Sequence, residues 1–375
     1  MWTVDHAALD RIVIGAGILG TGGGGNPYLG KVHARTLLAA GARPVVVDPD
    51  EVPDDALVVS VGGMGSPTIS IERIQRGDEP LVAMRALERH IGRSFTHLVP
   101  GEVGGSNSVR PIVVAAQSGL PVVDADGMGR AFPELQMETF TIYGVRPTPA
   151  ALADPRGHVA LFDGIEDAAT LERYARAVTI QMGGSSGYAF PVMTGAEVKR
   201  TAIPRTLTLA QAVGEAVIAA RADHRDPVGA VLDVCGGRRL FAGKIVDVER
   251  RLVGGFARGK LRLTGDGTSG QTELVIDLQN EYLIARTGAG DALAAVPDLI
   301  CLVDADTAEP ITTEVARYGL RVVVLGIPAA AMLRTPEALA VVGPAAFGYR
   351  DVPYVPLAGR YAGRSARVLQ PTEIS

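Results

Sequence analysis

Arg11-Ile-Val-Ile-Gly15-Ala-Gly17-Ile-Leu-Gly20-Thr-Gly22-Gly23-Gly24-Gly25-Asn26-Pro27-Tyr28 is the stretch on which the fold turns. Its first ten residues fit G-x-G-x-x-G behind three apolar residues. That is the strand–turn–helix pattern that seats a dinucleotide pyrophosphate, with Asp48 placed to bind a ribose. Two features weigh against it. After Gly20 the unit needs an amphipathic helix, and four glycines, an asparagine and a proline cannot hold one. Upstream, Val4–Ile14 reads as a helix capped by Thr3 or Asp5, with Ala8, Leu9, Ile12 and Val13 on one stripe, which leaves little room for a strand. An FAD- or NAD-dependent Rossmann protein is therefore a secondary reading.

Outward from this stretch the chain alternates. A helix over Val32–Ala40 stops at Gly41. Apolar runs at Pro44–Val47, Leu57–Val61, Thr96–Val99 and Pro121–Val123 read as strands, with helices at Leu81–Ile91 and Val109–Gln117 between them. Met137–Tyr143 and Val159–Phe162 are candidates to extend the sheet. Residues 1–165 are thus expected to form an α/β domain with a mostly parallel sheet. Residues 166–355 form a second, α+β or mostly β domain. It starts helical up to about Ala222, around a flexible Gly183–Gly187 loop. Beyond Val231 it alternates with period two, as antiparallel strands do. Residues 356–375 are Arg-rich without an apolar face and are expected to be a disordered tail.

Composition narrows the class. The 375 residues carry 36 Lys plus Arg against 41 Asp plus Glu, a net charge of −5. That is a poor balance for a nucleic-acid binder or an anionic-membrane binder. No run of eighteen apolar residues and no leader pattern occurs, so the expected location is the cytoplasm. Cys235 and Cys301 sit in apolar strand contexts and read as core thiols. Six histidines with no H-x-H or H-E-x-x-H speak against a His-rich zinc site. Gly183-Gly-Ser185-Ser-Gly187 fits G-x-S-x-G formally, but Pro191 follows too closely for a nucleophile elbow.

The chemistry gathers in three loops at strand ends: Gly62-Gly-Met-Gly-Ser-Pro67, Gly101-Glu102-Val-Gly-Gly-Ser-Asn107 and Asp124-Ala-Asp126-Gly-Met-Gly-Arg130. In a parallel sheet all three emerge at the carboxyl edge, where ligands bind. Glu102, Asn107, Asp124, Asp126, Arg130 and Glu134 travel with them. Paired carboxylates either split into acid and base or hold a metal together. Lys199 is one of four lysines and a candidate cation, and Gln279-Asn280-Glu281 ends a strand with amide and carboxylate groups.

Leu19–Tyr28 resembles the N-terminal signature of the S-methyl-thiohydantoin desulfurase family, which is found beside, or fused to, hydantoinase/oxoprolinase proteins. The resemblance continues through Glu102–Asn107 and Val123–Met137. It resumes at Phe241–Ile245, Gln279–Glu281, Pro297–Ile300 and Phe347–Tyr349, so it spans about Asp5 to Tyr354. It implies an α/β domain followed by a β-containing one, with Gly15–Gly20 leading into the glycine loop rather than binding a nucleotide. It also implies a hydrolase that turns an S-methylated thiohydantoin, or a related small ring, into a hydantoin with release of methanethiol.

That step needs a base or a metal to activate water, and donors for the tetrahedral adduct. The expected catalytic residues are Glu102, Asp124, Asp126 and Lys199, the three acids being also candidate ligands of one divalent metal. The expected substrate-binding residues are Gly22, Gly23, Gly24, Gly25, Asn26, Asn107, Arg130, Glu134, Asn280 and Glu281, with Arg130 or Lys199 on a substrate carboxylate. A homo-oligomer is expected. The alternative to an enzyme is a small-molecule-binding subunit that partners a hydantoinase/oxoprolinase-like protein.

Overall fold

The computed structural model describes residues 1–65, 69, 72, 75–267 and 272–358. Helix α1 runs His6–Leu19, and its cap Asp5 accepts from the Ala8 N–H at 2.7 Å. Gly15 and Gly17 thus lie inside a helix rather than in a strand-to-helix turn, and the dinucleotide reading falls with them. They serve packing. A β-carbon on Gly15 would stand 1.9 Å from the Ala210 carbonyl oxygen, and one on Gly214 would stand 1.9 Å from that of Arg11. Ala210 and Gly214 belong to the helix Thr206–Ala222, so two helices from opposite halves of the chain touch backbone to backbone. Interaxial distance depends on the side chains at the contact, and glycine at both positions permits the shortest.

Asn26 caps α2 (Pro27–Ala39), accepting from the Tyr28 N–H at 2.9 Å. The first sheet is parallel at its centre. Strands β2 (Val45–Val47), β3 (Leu57–Gly65), β4 (His97–Pro100) and β5 (Val122–Val123) stand in the order β2-β5-β4-β3, and β1 (Trp2–Thr3) lies antiparallel on β2. Helices α3 (Glu79–Ile91) and α4 (Gly105–Ser118) make the returns between β3, β4 and β5. Beyond β3 the sheet turns antiparallel. There β3 pairs with β9 (Ser185–Thr194), which pairs with β7 (Ala150–Ala153), and β7 pairs with β8 (Val159–Phe162). The short strand β6 (Ala125–Asp126) pairs with β10 (Ile203–Pro204).

Two expectations fail here. Met137–Tyr143 is not a strand but a 3-10 turn followed by the short helix α5 (Thr139–Ile142). The supposed flexible loop Gly183–Gly187 runs instead into a buried strand. Ser185 and Ser186 pair with Gly65 and Met64, and the Ser186 hydroxyl bonds Thr179 Oγ1 at 2.8 Å. Small residues are needed there because α3 presses on the strand: a β-carbon on Gly187 would stand 2.3 Å from the Pro80 nitrogen.

The helices α6 (Ala168–Gln181), α7 (Gly195–Thr201), α8 (Thr206–Ala222) and α9 (Pro227–Cys235) lead to the second sheet. This one is antiparallel throughout, as the period-two pattern predicts. Its strands are β11 (Arg238–Val253), β12 (Phe256–Gly265), β13 (Glu273–Gln279), β14 (Glu281–Thr287), β15 (Ala292–Ala295), β16 (Leu299–Asp304) and β17 (Arg321–Ile327), in the order β15-β14-β13-β12-β11-β17-β16. Helix α10 (Pro336–Val342) follows. One core joins the halves. Ile18 and Leu19 of α1 and Val213 and Val217 of α8 meet Val231, Leu283, Cys301 and Leu325. Cys235 and Cys301 are both buried, and burial pushes the Cys235 thiol up to about 12.

Leu357, inside the expected tail, is buried and its N–H donates to Asp298 Oδ2 at 2.7 Å; residues 359–375 lie outside the described residues. Among the described residues no helix is long and apolar enough to cross a membrane.

Candidate active site

The carboxyl ends of β3, β4 and β5 do converge, and the hairpin between β13 and β14 closes over them from the other half. The resulting cleft is lined by Gly24 and Gly25 of the glycine loop, Gly63–Gly65 at the end of β3, and Glu102 and Asn107 after β4. Met128 and Phe132–Leu135 beyond β5 and Asn280 and Glu281 of the hairpin complete this ring. Ser66 and Pro67 of the first loop lie outside the described residues.

Asn107, in the first turn of α4, is the knot. Its Oδ1 accepts from the Gly63 N–H at 2.8 Å, and its Nδ2 donates to the Gly63 carbonyl at 3.1 Å and to Glu102 Oε1 at 2.5 Å. Glu102 Oε2 accepts from the Phe132 N–H at 3.2 Å. Both Glu102 oxygens therefore accept a hydrogen bond, as a carboxylate does. Burial nonetheless dominates and raises this acid to about 8. The glycine loop docks on the same helix end, where the Gly24 and Gly25 carbonyls accept from the Asn107 and Ser106 N–H groups at 3.2 and 3.0 Å.

Glu281 faces the cleft from the other half. It is 2% exposed, its Oε2 has no hydrogen-bond partner among the described residues, and its Oε1 would collide with any β-carbon on Gly23. Burial first, then the neighbouring Glu102, hold it well above the carboxylate range, with Arg130 opposing. Asn280 takes the left-handed conformation (φ 56°) that the tight turn requires. Its Oδ1 accepts from the Ala257 N–H at 2.9 Å. Glu134 is held by two amides, Gln279 Nε2 at 3.2 Å and Gln136 Nε2 at 2.5 Å.

The other expected site residues are occupied elsewhere. Asp124 is a long-range helix cap. Its Oδ1 accepts from the Leu207 and Thr208 N–H groups at 3.0 and 3.1 Å, and the Thr208 hydroxyl donates to Oδ2. Asp126 Oδ2 gathers the N–H groups of Val103, Gly129 and Met128 at 2.7, 2.8 and 3.2 Å, which ties the second loop to the third. Burial raises it to about 7. Arg130 is fully buried and donates to the carbonyls of Ala131, Pro297, Asp298 and Tyr282 and to Thr21 Oγ1, clamping the halves together beneath the cleft. Lys199 pairs with Asp54 at 2.7 Å on the surface and does not line the cleft. Gly22 passes under Tyr282, and its carbonyl accepts from the Thr313 N–H at 2.9 Å; Asn26 caps α2 through its Oδ1 and lines a neighbouring cavity rather than the cleft.

A divalent ion does not fit this donor set. Among the described residues no group of three or more His, Cys, Asp or Glu side chains is placed to hold a metal ion. Asp124 gives both oxygens to Leu207 and Thr208, and Asp126 gives one of its two to backbone N–H groups.

Sequence reasoning misses Arg110, Arg176 and Tyr188 and sets Ser185 aside as part of a flexible loop; all four line the cleft. Arg110 lies one helical turn after Asn107, a spacing that puts both on one face. Its Nη2 donates to Gln75 Oε1 at 2.6 Å, while its buried Nε has no partner among the described residues. Arg176 is matched by Glu172 at 2.7 Å and stacks over Phe256. The Tyr188 ring packs edge-on to Phe190, and its hydroxyl lodges against Gly62 and Gly101, where a β-carbon would stand 2.5 and 2.1 Å away. Tyr188 is hidden in the sequence, and Ser185 is discounted there, because their Gly-Ser neighbourhood looks like loop.

Two family models match end to end: the S-Me-THD-like N-terminal domain over residues 7–164 and the S-Me-THD-like C-terminal domain over residues 166–357. No curated protein matches. The fold is similar to the crystal structure of a protein from Chromobacterium violaceum. The two share 28% identity and a TM-score of 0.78, over 95% of this chain and 100% of that one.

Proposed function

The chain belongs to the S-Me-THD-like family along both halves, and from that premise we propose that it is a hydrolase of a small S-methyl-thiohydantoin-like ring. The observation that carries this reading is a pair of buried acids, one from each half, facing one cleft in unlike surroundings. Glu102 has hydrogen-bond donors on both oxygens, and one oxygen of Glu281 has none among the described residues. Such a split is how two carboxyl groups divide into base and acid.

In this scheme the ionised Glu102 takes a proton from water as the water oxygen bonds to the ring carbon that bears sulfur. The C=N pair moves onto nitrogen, which takes the Glu281 proton. Collapse of the adduct to a carbonyl breaks the C–S bond. The sulfur leaves as methanethiol with the proton held by Glu102, and the adduct's hydroxyl proton returns to Glu281. Asn107 positions Glu102. Arg110, whose Nε has no partner among the described residues, offers positive charge to the adduct.

The test uses S-methyl-thiohydantoin as substrate and thiol release as readout, with Glu102→Gln and Glu281→Gln. Each substitution is expected to lower kcat by about 10²–10⁴-fold with binding retained. If binding is retained but the unaltered protein releases no thiol, the protein is a binding subunit for a hydantoinase/oxoprolinase-type partner.

A further inference from the structure

A second cavity adjoins the cleft and plays no part in the scheme above. It lies between α2 and α4 and has a volume of about 330 Å³, against about 60 Å³ in the cleft. Gly25 and Arg110 line both, so the two spaces share a boundary made of one glycine and one guanidinium. Leu29, Val32, Pro80 and Val113 supply apolar walls, and no carboxylate lines it among the described residues. The cleft, by contrast, carries Glu102, Glu134 and Glu281.

Three details make this chamber part of the site. Gly25 has φ +79°, and among the described residues a β-carbon there would meet only Ser106 Cβ, at 3.5 Å, so the backbone at this boundary is not packed over by a side chain. Gly30 lets α2 lie against Val109 and Ser106 of α4, which fixes the chamber's floor. Leu29 and Val32, three residues apart on α2, are 41% and 46% exposed, so they present apolar surface to the chamber rather than to the core. Asn26, His33, Thr36 and Gln75 add polar edges, and Arg76 is paired with Asp78 at 2.7 Å, which leaves Arg110 as the cation shared with the cleft. Apolar walls beyond it suit a ligand that enters by its polar end.

We propose that the ligand is bipartite: its polar ring sits against Glu102 and Glu281, and an apolar substituent on that ring crosses between Gly25 and Arg110 into the chamber. The identity of the ring rests on the hydrolase reading; the existence of the arm pocket does not. Affinity then grows with the length of the arm, by about fourfold for each methylene buried.

The test is a series of 5-alkyl S-methyl-thiohydantoins, from methyl to pentyl, with dissociation constants by calorimetry and thiol release measured in parallel. The full chain is compared with Val32→Glu, a change at an exposed helical position that places charge in the chamber wall. The expected result is rising affinity from methyl to pentyl in the unaltered protein. In Val32→Glu the pentyl compound loses at least tenfold while the methyl compound is unaffected. A flat series, or equal losses for methyl and pentyl, overturns the arm pocket. Rising affinity without thiol release supports the pocket and sinks the reaction. Thiol release with a flat series does the reverse. Absence of binding by every member overturns both.

Discussion

Glu102 and Asp124 follow neighbouring strands of one parallel sheet, both are buried, and they do opposite work. Asp124 spends both oxygens on the first turn of α8, so its burial is compensated and its role is to join the first sheet to the second half. Glu102 has two donors as well, but one is a side-chain amide that also grips Gly63, and the carboxylate lines an open cleft. A buried acid surrounded by backbone N–H groups is a structural strut. One that lines a cavity with its protonation held near neutrality is available for proton transfer.

The comparison breaks most visibly through substitution. Glu102→Gln is expected to cost about 10²–10⁴-fold in thiol release while leaving the melting temperature unchanged or higher, since a neutral amide no longer has to be kept uncharged. Asp124→Ala should do the reverse. It strands two N–H groups and a hydroxyl at a buried helix start, at a cost of about 2–4 kcal/mol in chemical denaturation, with turnover per folded molecule intact. If both lose activity and stability alike, the distinction between strut and proton carrier is wrong.

A second division, among the glycines, sharpens the first. Gly15→Ala places a methyl 1.9 Å from the Ala210 carbonyl and should cost about 1–3 kcal/mol, although alanine is the better helix former. A gain in melting temperature would mean that α1 and α8 do not touch as described.

The smallest expected effect is on stability against pH. Folding raises Glu102 from 4.5 to about 8 and Asp126 from 3.8 to about 7. The folded state thus binds these protons more tightly than the unfolded chain. The stability they contribute is complete below about pH 4 and drains away as pH rises through 7 and 8. Glu102→Gln should flatten part of that alkaline loss in denaturation curves taken from pH 5 to 9, and an unchanged slope would contradict the raised value.

The sequence shows the periodic features well. The alternation of the second sheet, the parallel centre of the first and the convergence of three strand-end loops are legible because each depends on local spacing. Glu102, Asn107 and Glu281 stand out on the same ground. The destination of a carboxylate's hydrogen bonds is not legible. Asp124 meets Leu207 and Thr208 across more than eighty residues of chain, and nothing near Asp124 announces a helix start so far away. Gly15–Gly20 misleads because close helix packing and a phosphate turn ask for the same residue. Ser185–Gly187 misleads because a strand pressed by a helix needs the small residues that a loop also favours.

The measurement that tests the central claim most directly is the pH dependence of thiol release from S-methyl-thiohydantoin between pH 6 and 10, in the unaltered protein and in Glu102→Gln. The account predicts a rate that rises to a plateau above about pH 8, where Glu102 has lost its proton, and a low, flat profile in the variant. A variant that turns over at the unaltered rate, with the same rise near pH 8, would contradict it.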